Sequence, residues 1–570
     1  MRAASAVALS AWLTALALNA AEKTLPILGW SAIPSDRVSE TRYLEARDAG
    51  FTHMMQWCHT PDDARQKLAL AEKTGLKLLI CAGARMYSNP EGFARAAKDS
   101  PALAMYHVQD EPHIKTLPKI AECMQRIGAV DPVHPCYVNL FGVLRRQKHW
   151  TGCDSHEEYL RAVFDALPLK FVSFDQYPVL YEGGRLPDGD FRLKPGQRAY
   201  LTHRWYETLE VTSAFAREKG IPMYAFALST ALSNHVSNDN PVATCGHLKL
   251  QQYSNLAYGA QLLQYYTYWI SYEGGKIRWN NGPVVKGMRS PVFERVREVN
   301  RELQARADVF VGCKVKSVWH TGEPVPQATK RLQAGDLPAW VRTLETPDGG
   351  AVVSWLENGG TEYLVVVNRS PNDELTLNAE FAKGVEYVRK DGTRVPVAAY
   401  CGEFWPGPGD AEIFAFRPGC GALVDNPGFE DGELGWSISG RGYGVREGTG
   451  RGGSKSLAFD CADPKLPFIL PKQVVEFKAG KRYRYSAWVR TEGLKAKGHG
   501  ASVCIEWHDR AGKHIGGAYV NGVKGDSDWV KVEGDTPEMP PNAWKAYVTV
   551  YCAQGATGRA FFDDVKVEEL

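Results

Sequence analysis

The stretch MYHVQDEP, Met105–Pro112, decides how the first half of the chain is read. It is an apolar, strand-like run that closes on two adjacent acids and a proline. Adjacent acids are cheap in a solvated loop and costly in a core. The run is therefore either a loop entry or the end of a strand that carries carboxylates to a site. Its surroundings choose between the two. Seven similar runs flank it: PILGWSAIP, FTHMMQW, KLLICAG, PCYVNLF, FVSFDQYP, PMYAFALST and LLQYYTYW. Amphipathic segments such as SETRYLEARDAG, DDARQKLALAEKTG and YETLEVTSAFAREKG lie between them, and several end on glycine, the usual residue just past a helix. Eight strand–helix units between Pro26 and about Leu303, roughly 280 residues, match the count and size of a (β/α)8 barrel. A doubly wound open sheet would want a Gly-rich phosphate loop after its first strand, and GWSAIPSD is not one.

After about Asp308 the period changes. AWVRTLETP, GAVVSWLEN, EYLVVVNRS, DELTLNAEF, EYVRKDGTR and AEIFAFRP alternate apolar and polar residues between turn residues, which reads as a β-sandwich. A further block opens near ALVDNPGFEDGELGW and includes RYRYSAWVRT, ASVCIEWHD, WKAYVTVYCA and RAFFDDVKVEE, which reads as a second sandwich or jelly roll. The expected fold class is α/β: a (β/α)8 TIM barrel over 21–307, a β-sandwich over 308–418 and a β-jelly roll over 419–570. Residues 1–20 have the positive start (Met1-Arg2) and short apolar run of a signal peptide. The expectation is a secreted or periplasmic protein without a membrane span.

Composition excludes more than it selects. A net charge of +2 over 570 residues, with no basic stripe, argues against nucleic acid. The 16 Trp fit both sandwich cores and sugar-stacking rings. The 12 Cys form no CxxC pair, so no zinc site is expected. Cys81, Cys136, Cys504 and Cys552 fall inside apolar strands, where a buried thiol is expected.

Barrel sites form at the C-terminal ends of the strands. There the fourth strand carries Asp110 and Glu111, the fifth Asn139, the sixth Asp175 and Tyr177, and the eighth Trp269. An acid able to protonate a leaving oxygen, a second carboxylate and an aromatic platform are what glycoside cleavage needs. Trp30, Trp57 and Trp279 are further platform candidates. The seventh strand, PMYAFALST, ends without an acid, so the second carboxylate has to come from elsewhere; Glu207 is the first candidate, because it opens the segment after the sixth strand, with Asp175 and Glu273 as alternatives.

The fourth-strand DEP resembles the acid/base signature of clan A glycoside hydrolases, and FDQYP resembles their sixth-strand segment. RWYETLE, PMYAFAL and LAYGAQLLQYYTYW are most similar to glycoside hydrolase family 158, secreted retaining endo-β-1,3-glucanases. The resemblance implies Glu111 as general acid/base, Glu207 as nucleophile, Asp110 as a ligand to a substrate hydroxyl, and no cofactor for catalysis. The expected partner is a polysaccharide or oligosaccharide substrate, and the expected state a monomer. NPGFEDGELGW and FFDDVKVEE resemble carbohydrate-binding jelly rolls that often hold a structural calcium, with Glu430 and Asp564 as the matching ligands. Two other readings stay open: a secreted glycan-binding protein with a degenerate barrel, and a barrel glycosidase acting on galactosides or mannosides.

Overall fold

The computed structural model describes residues 23–570 apart from 32, 187–190, 234–237, 272–277, 401, 418–422, 440–441 and 452–454. The signal-peptide expectation and Glu273 lie outside the described residues. Eight strands close into a barrel: Ile27–Gly29, His53–Trp57, Lys77–Cys81, Leu103–Asp110, Cys136–Phe141, Val172–Asp175, Met223–Leu228 and Ala260–Tyr266. Every neighbouring pair is parallel, the eighth strand closing on the first. Parallel strands are buried on both faces, which is why they read as near-continuous apolar runs. One face fills the interior with Leu28, Met55, Leu79, Met105, Tyr137, Phe171, Phe226 and Leu262. The other packs under the helices, whose starts are fixed locally. Thr60 caps Pro61–Thr74, Ser155 caps His156–Ala166, and Ser290 caps Pro291–Ala305, each accepting a backbone N–H on its side-chain oxygen.

The first sandwich has a six-stranded sheet (Lys314–His320, Ala351–Asn358, Thr361–Asn368, Ala411–Phe416, Glu386–Val388, Arg394–Pro396) and a three-stranded one (Val341–Glu345, Leu377–Phe381, Glu403–Phe404). Its larger sheet shares a core with the barrel: Val352, Leu356, Val365, Val367 and Ile413 pack in one cluster with barrel residues. Helix Cys245–Ala257 lies at that junction, and residues 247–257 are all buried. Its polar side chains find partners inside the fold: Lys249 pairs with Glu302 and Asp410, and Asn255 donates to the Phe226 carbonyl. The junction is pinned by Arg306, which is 1 % exposed. It donates to Tyr253 Oη at 2.8 Å and to the carbonyls of Arg389, Val388 and Ala411. The second sandwich, where the jelly roll is expected, pairs a five-stranded sheet (Tyr443–Glu447, Lys455–Cys461, Thr557–Glu569, Tyr483–Lys495, Gly525–Asp535) with a four-stranded one (Lys472–Val475, Lys545–Cys552, Ala501–His508, His514–Tyr519) around its own core.

Among the described residues no helix is long and apolar enough to cross a membrane. The ten described cysteines are unpaired, and Cys81, Cys136, Cys504 and Cys552 are buried.

Candidate active site

Lateral register brings the polar residues together. Asp110 pairs with Asn139 and Asn139 with Ser173, so strands four, five and six place these three in one layer. Asp175 and Tyr177 follow Ser173 at steps of two, on the same face. A register shift between His107 and Gln109 bends the end of strand four, as bulges near active sites do. Glu111 then takes φ 45°, the left-handed region that suits glycine. For a residue with a Cβ this costs about 1–3 kcal/mol and persists only where the surroundings enforce it. Here the Glu111 N–H is held by the Asn139 carbonyl at 2.9 Å, and the buried Pro112 fixes the chain beyond it. The carbonyl of Pro112 accepts from Tyr159 Oη at 2.8 Å.

Asn139 is the hub. Its Nδ2 donates to Asp110 Oδ1 at 3.1 Å and to Asp175 Oδ1 at 2.8 Å. Its Oδ1 accepts from Ser173 Oγ at 2.9 Å, which fixes the amide's orientation. Behind it Gln264 Nε2 donates to Ser173 Oγ at 3.0 Å, and Tyr137 Oη donates to Gln264 Oε1 at 2.5 Å. Sequence reading missed Ser173, Gln264, Tyr137 and Tyr266 because each is an ordinary strand residue until four strands are closed around it. The period-two spacing of Gln264 and Tyr266 at the end of strand eight is the signal that could have found two of them.

The three carboxyls are reached by solvent, Asp110 exposed and Glu111 and Asp175 half-buried. They nevertheless stand deep in the mouth, where protein surrounds them and charge is poorly solvated. All three have pKa values raised, chiefly by that desolvation. Glu111 is pushed up further by the charges of Asp175 and Asp110 and by a hydrogen bond to Asp175. The same bond holds Asp175 down, as do those from Asn139 and Tyr177. Two carboxyls in hydrogen-bond contact share one proton. The surrounding donors favour charge on Asp175, so the proton sits on Glu111.

Aromatic residues line the rest of the mouth. Tyr177 and Tyr266 have ring centroids 5.5 Å apart, and Trp279 Nε1 donates to Tyr266 Oη at 3.0 Å. A cleft of about 370 Å³ opens beside them, lined by Trp57, His59, Tyr266, Trp269 and Trp279 among others. Trp57 is 43 % exposed and presents its ring there.

Three expectations are corrected by these positions. Glu207 is in the first turn of helix Arg204–Lys219 and is not among the groups that act on Glu111, Asp110 or Asp175. Its neighbour Thr208 is the residue that turns toward the mouth, bonding Gln176 Oε1 and the Val143 N–H. The carboxylate facing Glu111 is therefore Asp175. Trp30 is 6 % exposed and wedged edge-on against His107 and Phe226 inside the barrel, so it fills the core and offers no face to a sugar. Trp269 is also 6 % exposed; Arg42 lies over its ring, and it borders the cleft without presenting a free platform.

At the far end of the chain, a β-bulge gives Asp563 and Asp564 different surroundings. Asp563 stands opposite Trp488 and is buried at 2 % exposure, whereas Asp564, at φ 48°, is exposed and pairs with Arg451 at 2.8 Å. Among the described residues Asp563 accepts the backbone N–H groups of Arg451 and Asp564 and no cationic side chain. Burial pushes its pKa up to about 6, with Asp564 and Glu430 adding to the rise. A buried carboxylate without a countercharge, beside Glu430, suits a cation. Among the described residues no three His, Cys, Asp or Glu side chains form a metal cage, so any calcium there would be held by Glu430 and Asp563 with backbone oxygens completing its shell. Calcium is expected to raise Tm and EDTA to lower it: at a hundred times Kd the linkage is about 2.7 kcal/mol. Identical melting curves with calcium and with EDTA, measured by calorimetry, would exclude such a site.

No family model matches the chain and no curated protein matches it. Solved structures do. A family 39 glycoside hydrolase from the gut symbiont Bacteroides cellulosilyticus WH2 matches at 11 % identity and TM-score 0.37, over 70 % of this chain and 81 % of its own. A β-galactosidase from the psychrophilic Marinomonas ef1 matches at 9 % identity and TM-score 0.34, over 49 % and 60 %. Xylanase 10B modules of Clostridium thermocellum complexed with xylohexaose match at 15 % identity and TM-score 0.21, over 26 % of this chain. The chain spans 28 % of that xylanase structure's length. At these scores the likenesses carry no functional argument.

Proposed function

We propose that the barrel mouth is the active site of a glycoside hydrolase acting on a β-linked glycan, with Glu111 as the general acid. The observation that supports this most is the Glu111–Asp175 contact: a carboxyl kept protonated by an adjacent carboxylate, beside a cleft lined by aromatic rings. Such a group gives its proton to a departing glycosidic oxygen at neutral pH, as two carboxyls with separated pKa values do in acid–base sites. The sequence resemblance favours β-1,3-glucan, endo action and retention of configuration; galactosides and mannosides are the alternatives within the same chemistry.

The test is a panel of β-glucans, galactans, mannans and chitin-type oligosaccharides, read by product size and by the anomer first formed in NMR. Release of reducing ends from at least one member supports the reading, and a pure wild-type protein that cleaves none defeats it. Within the same panel Glu207→Gln is expected to keep kcat/KM within about threefold of wild type, since surface changes away from a site are near neutral. A hundredfold loss would return Glu207 to the mechanism.

A second reading, glycan binding without cleavage, draws on the jelly roll. Val474, Tyr547, Glu506 and Tyr519 share the outer face of its four-stranded sheet, with Tyr519 46 % exposed and bonded to Glu506 at 2.9 Å. Retention on a glycan affinity gel with no product release would favour it.

A further inference from the structure

We propose that the substrate carries a 2-acetamido group on the sugar that is cleaved, and that this group's carbonyl oxygen, not an enzyme carboxylate, attacks the anomeric carbon. This rests on the glycosidase reading and departs from its β-glucan expectation. The geometry behind it concerns which side of the mouth holds acids. Two-carboxylate mechanisms need the pair about 5–5.5 Å apart for retention or 6.5–9.5 Å for inversion, one on each side of the sugar. Glu111 and Asp175 are in hydrogen-bond contact instead. Asp110 and Asp175 are tied to one nitrogen of Asn139. All three acids thus stand on the arc of strands four to six. The opposite wall, where the cleft opens, is lined by Ser31, Ser35, Trp57, Tyr266 and Trp279 and by no carboxylate among the described residues.

Two groups in the mouth are left with capacity that an acetamide would use. Asp110 sits next to the acid in the chain, and its Oδ2 takes no hydrogen bond from the described residues, Oδ1 alone being held by Asn139. A carboxylate beside the acid is placed to accept the N–H of a 2-acetamido group. Tyr266 Oη accepts from Trp279 and has no acceptor for its own proton among the described residues. It is placed to donate to the acetamide oxygen and hold it toward the anomeric carbon.

The steps balance without a further reagent than water. The acetamide oxygen forms a bond to C1 as the glycosidic C1–O bond breaks, and Glu111 gives its proton to the leaving oxygen. Asp110 accepts the hydrogen bond of the N–H as positive charge develops on the oxazolinium ring. Water then attacks C1, losing a proton to the Glu111 carboxylate. The ring C1–O bond breaks, and the acetamide is restored with net retention.

The experiment compares p-nitrophenyl 2-acetamido-2-deoxy-β-D-glucoside and -galactoside with the matching 2-hydroxy glycosides. The acetamido substrates are expected to be cleaved at least ~100-fold faster in kcat/KM, the scale of one lost catalytic group. The rate should fall as the acetamide is made mono-, di- and trifluorinated, since each fluorine weakens the attacking oxygen. Asp110→Asn should lower kcat more than it raises KM. Equal cleavage of the 2-hydroxy series, a flat response to fluorination, or a 2-deoxy-2-fluoro glycoside trapped on the protein would overturn the proposal while leaving the glycosidase reading intact. Loss of all cleavage in Glu273→Gln with rescue by azide would do the same. Cleavage of neither series, with none in the polysaccharide panel, would overturn both.

Discussion

Glu111→Gln is expected to lower kcat/KM for a glycoside with an unactivated alcohol leaving group by about 10³-fold, within the range of 10²–10⁴ for a positioned general acid. The amide is nearly isosteric and can still donate to Asp175, so the local hydrogen bond survives while the transferable proton does not. The loss should therefore track the leaving group. A 2,4-dinitrophenyl glycoside, which departs without protonation, should retain bond cleavage in the first step far better than a methyl glycoside does. Tm should not fall, because the change removes a titratable group whose pKa is raised by crowding of like charges. Equal losses on both leaving groups would mean that Glu111 acts by position or charge and not as the acid.

The barrel was legible because its strands are parallel and buried on both faces, which leaves eight clean apolar runs separated by capped helices. The site was legible as far as strand ends reach: Asp110, Glu111, Asn139, Asp175 and Tyr177 all fall where barrel chemistry falls. What failed depended on direction in space. Glu207 opens its helix, but the side chain bonded to the strand ends is that of its neighbour Thr208, one helical step of about 100° on. Trp30 directly follows the first strand, but that strand is only three residues long, so Trp30 is still inside the barrel. Asp563 and Asp564 differ by one residue in a strand, and a β-bulge between them and Lys566, with Asp564 at φ 48°, breaks the period of two, burying the first and exposing the second. The Trp279–Tyr266 contact joins a loop strand to the eighth barrel strand, and nothing local in either segment announces it.

The network behind the acids matters as much as the acids, and Asn139→Asp tests it. The replacement is isosteric but removes both amide protons that Asp110 and Asp175 accept. It also adds a carboxyl where three already have raised pKa values. Activity is expected to fall by about 10³-fold, as the acid and the two carboxylates lose their common anchor. The residual activity should show the sign of the effect in its pH profile. The alkaline limb of kcat/KM reports loss of the proton from the Glu111–Asp175 pair. More negative charge nearby holds that proton to higher pH, so the limb in Asn139→Asp should move up. Asp175→Asn removes the charge that presses on Glu111, so its limb should move down. Opposite displacements of the two variants, measured on one substrate at constant ionic strength, are what electrostatic control of a shared proton requires. Limbs that move in the same direction would mean that the pair does not set the protonation state on which cleavage depends.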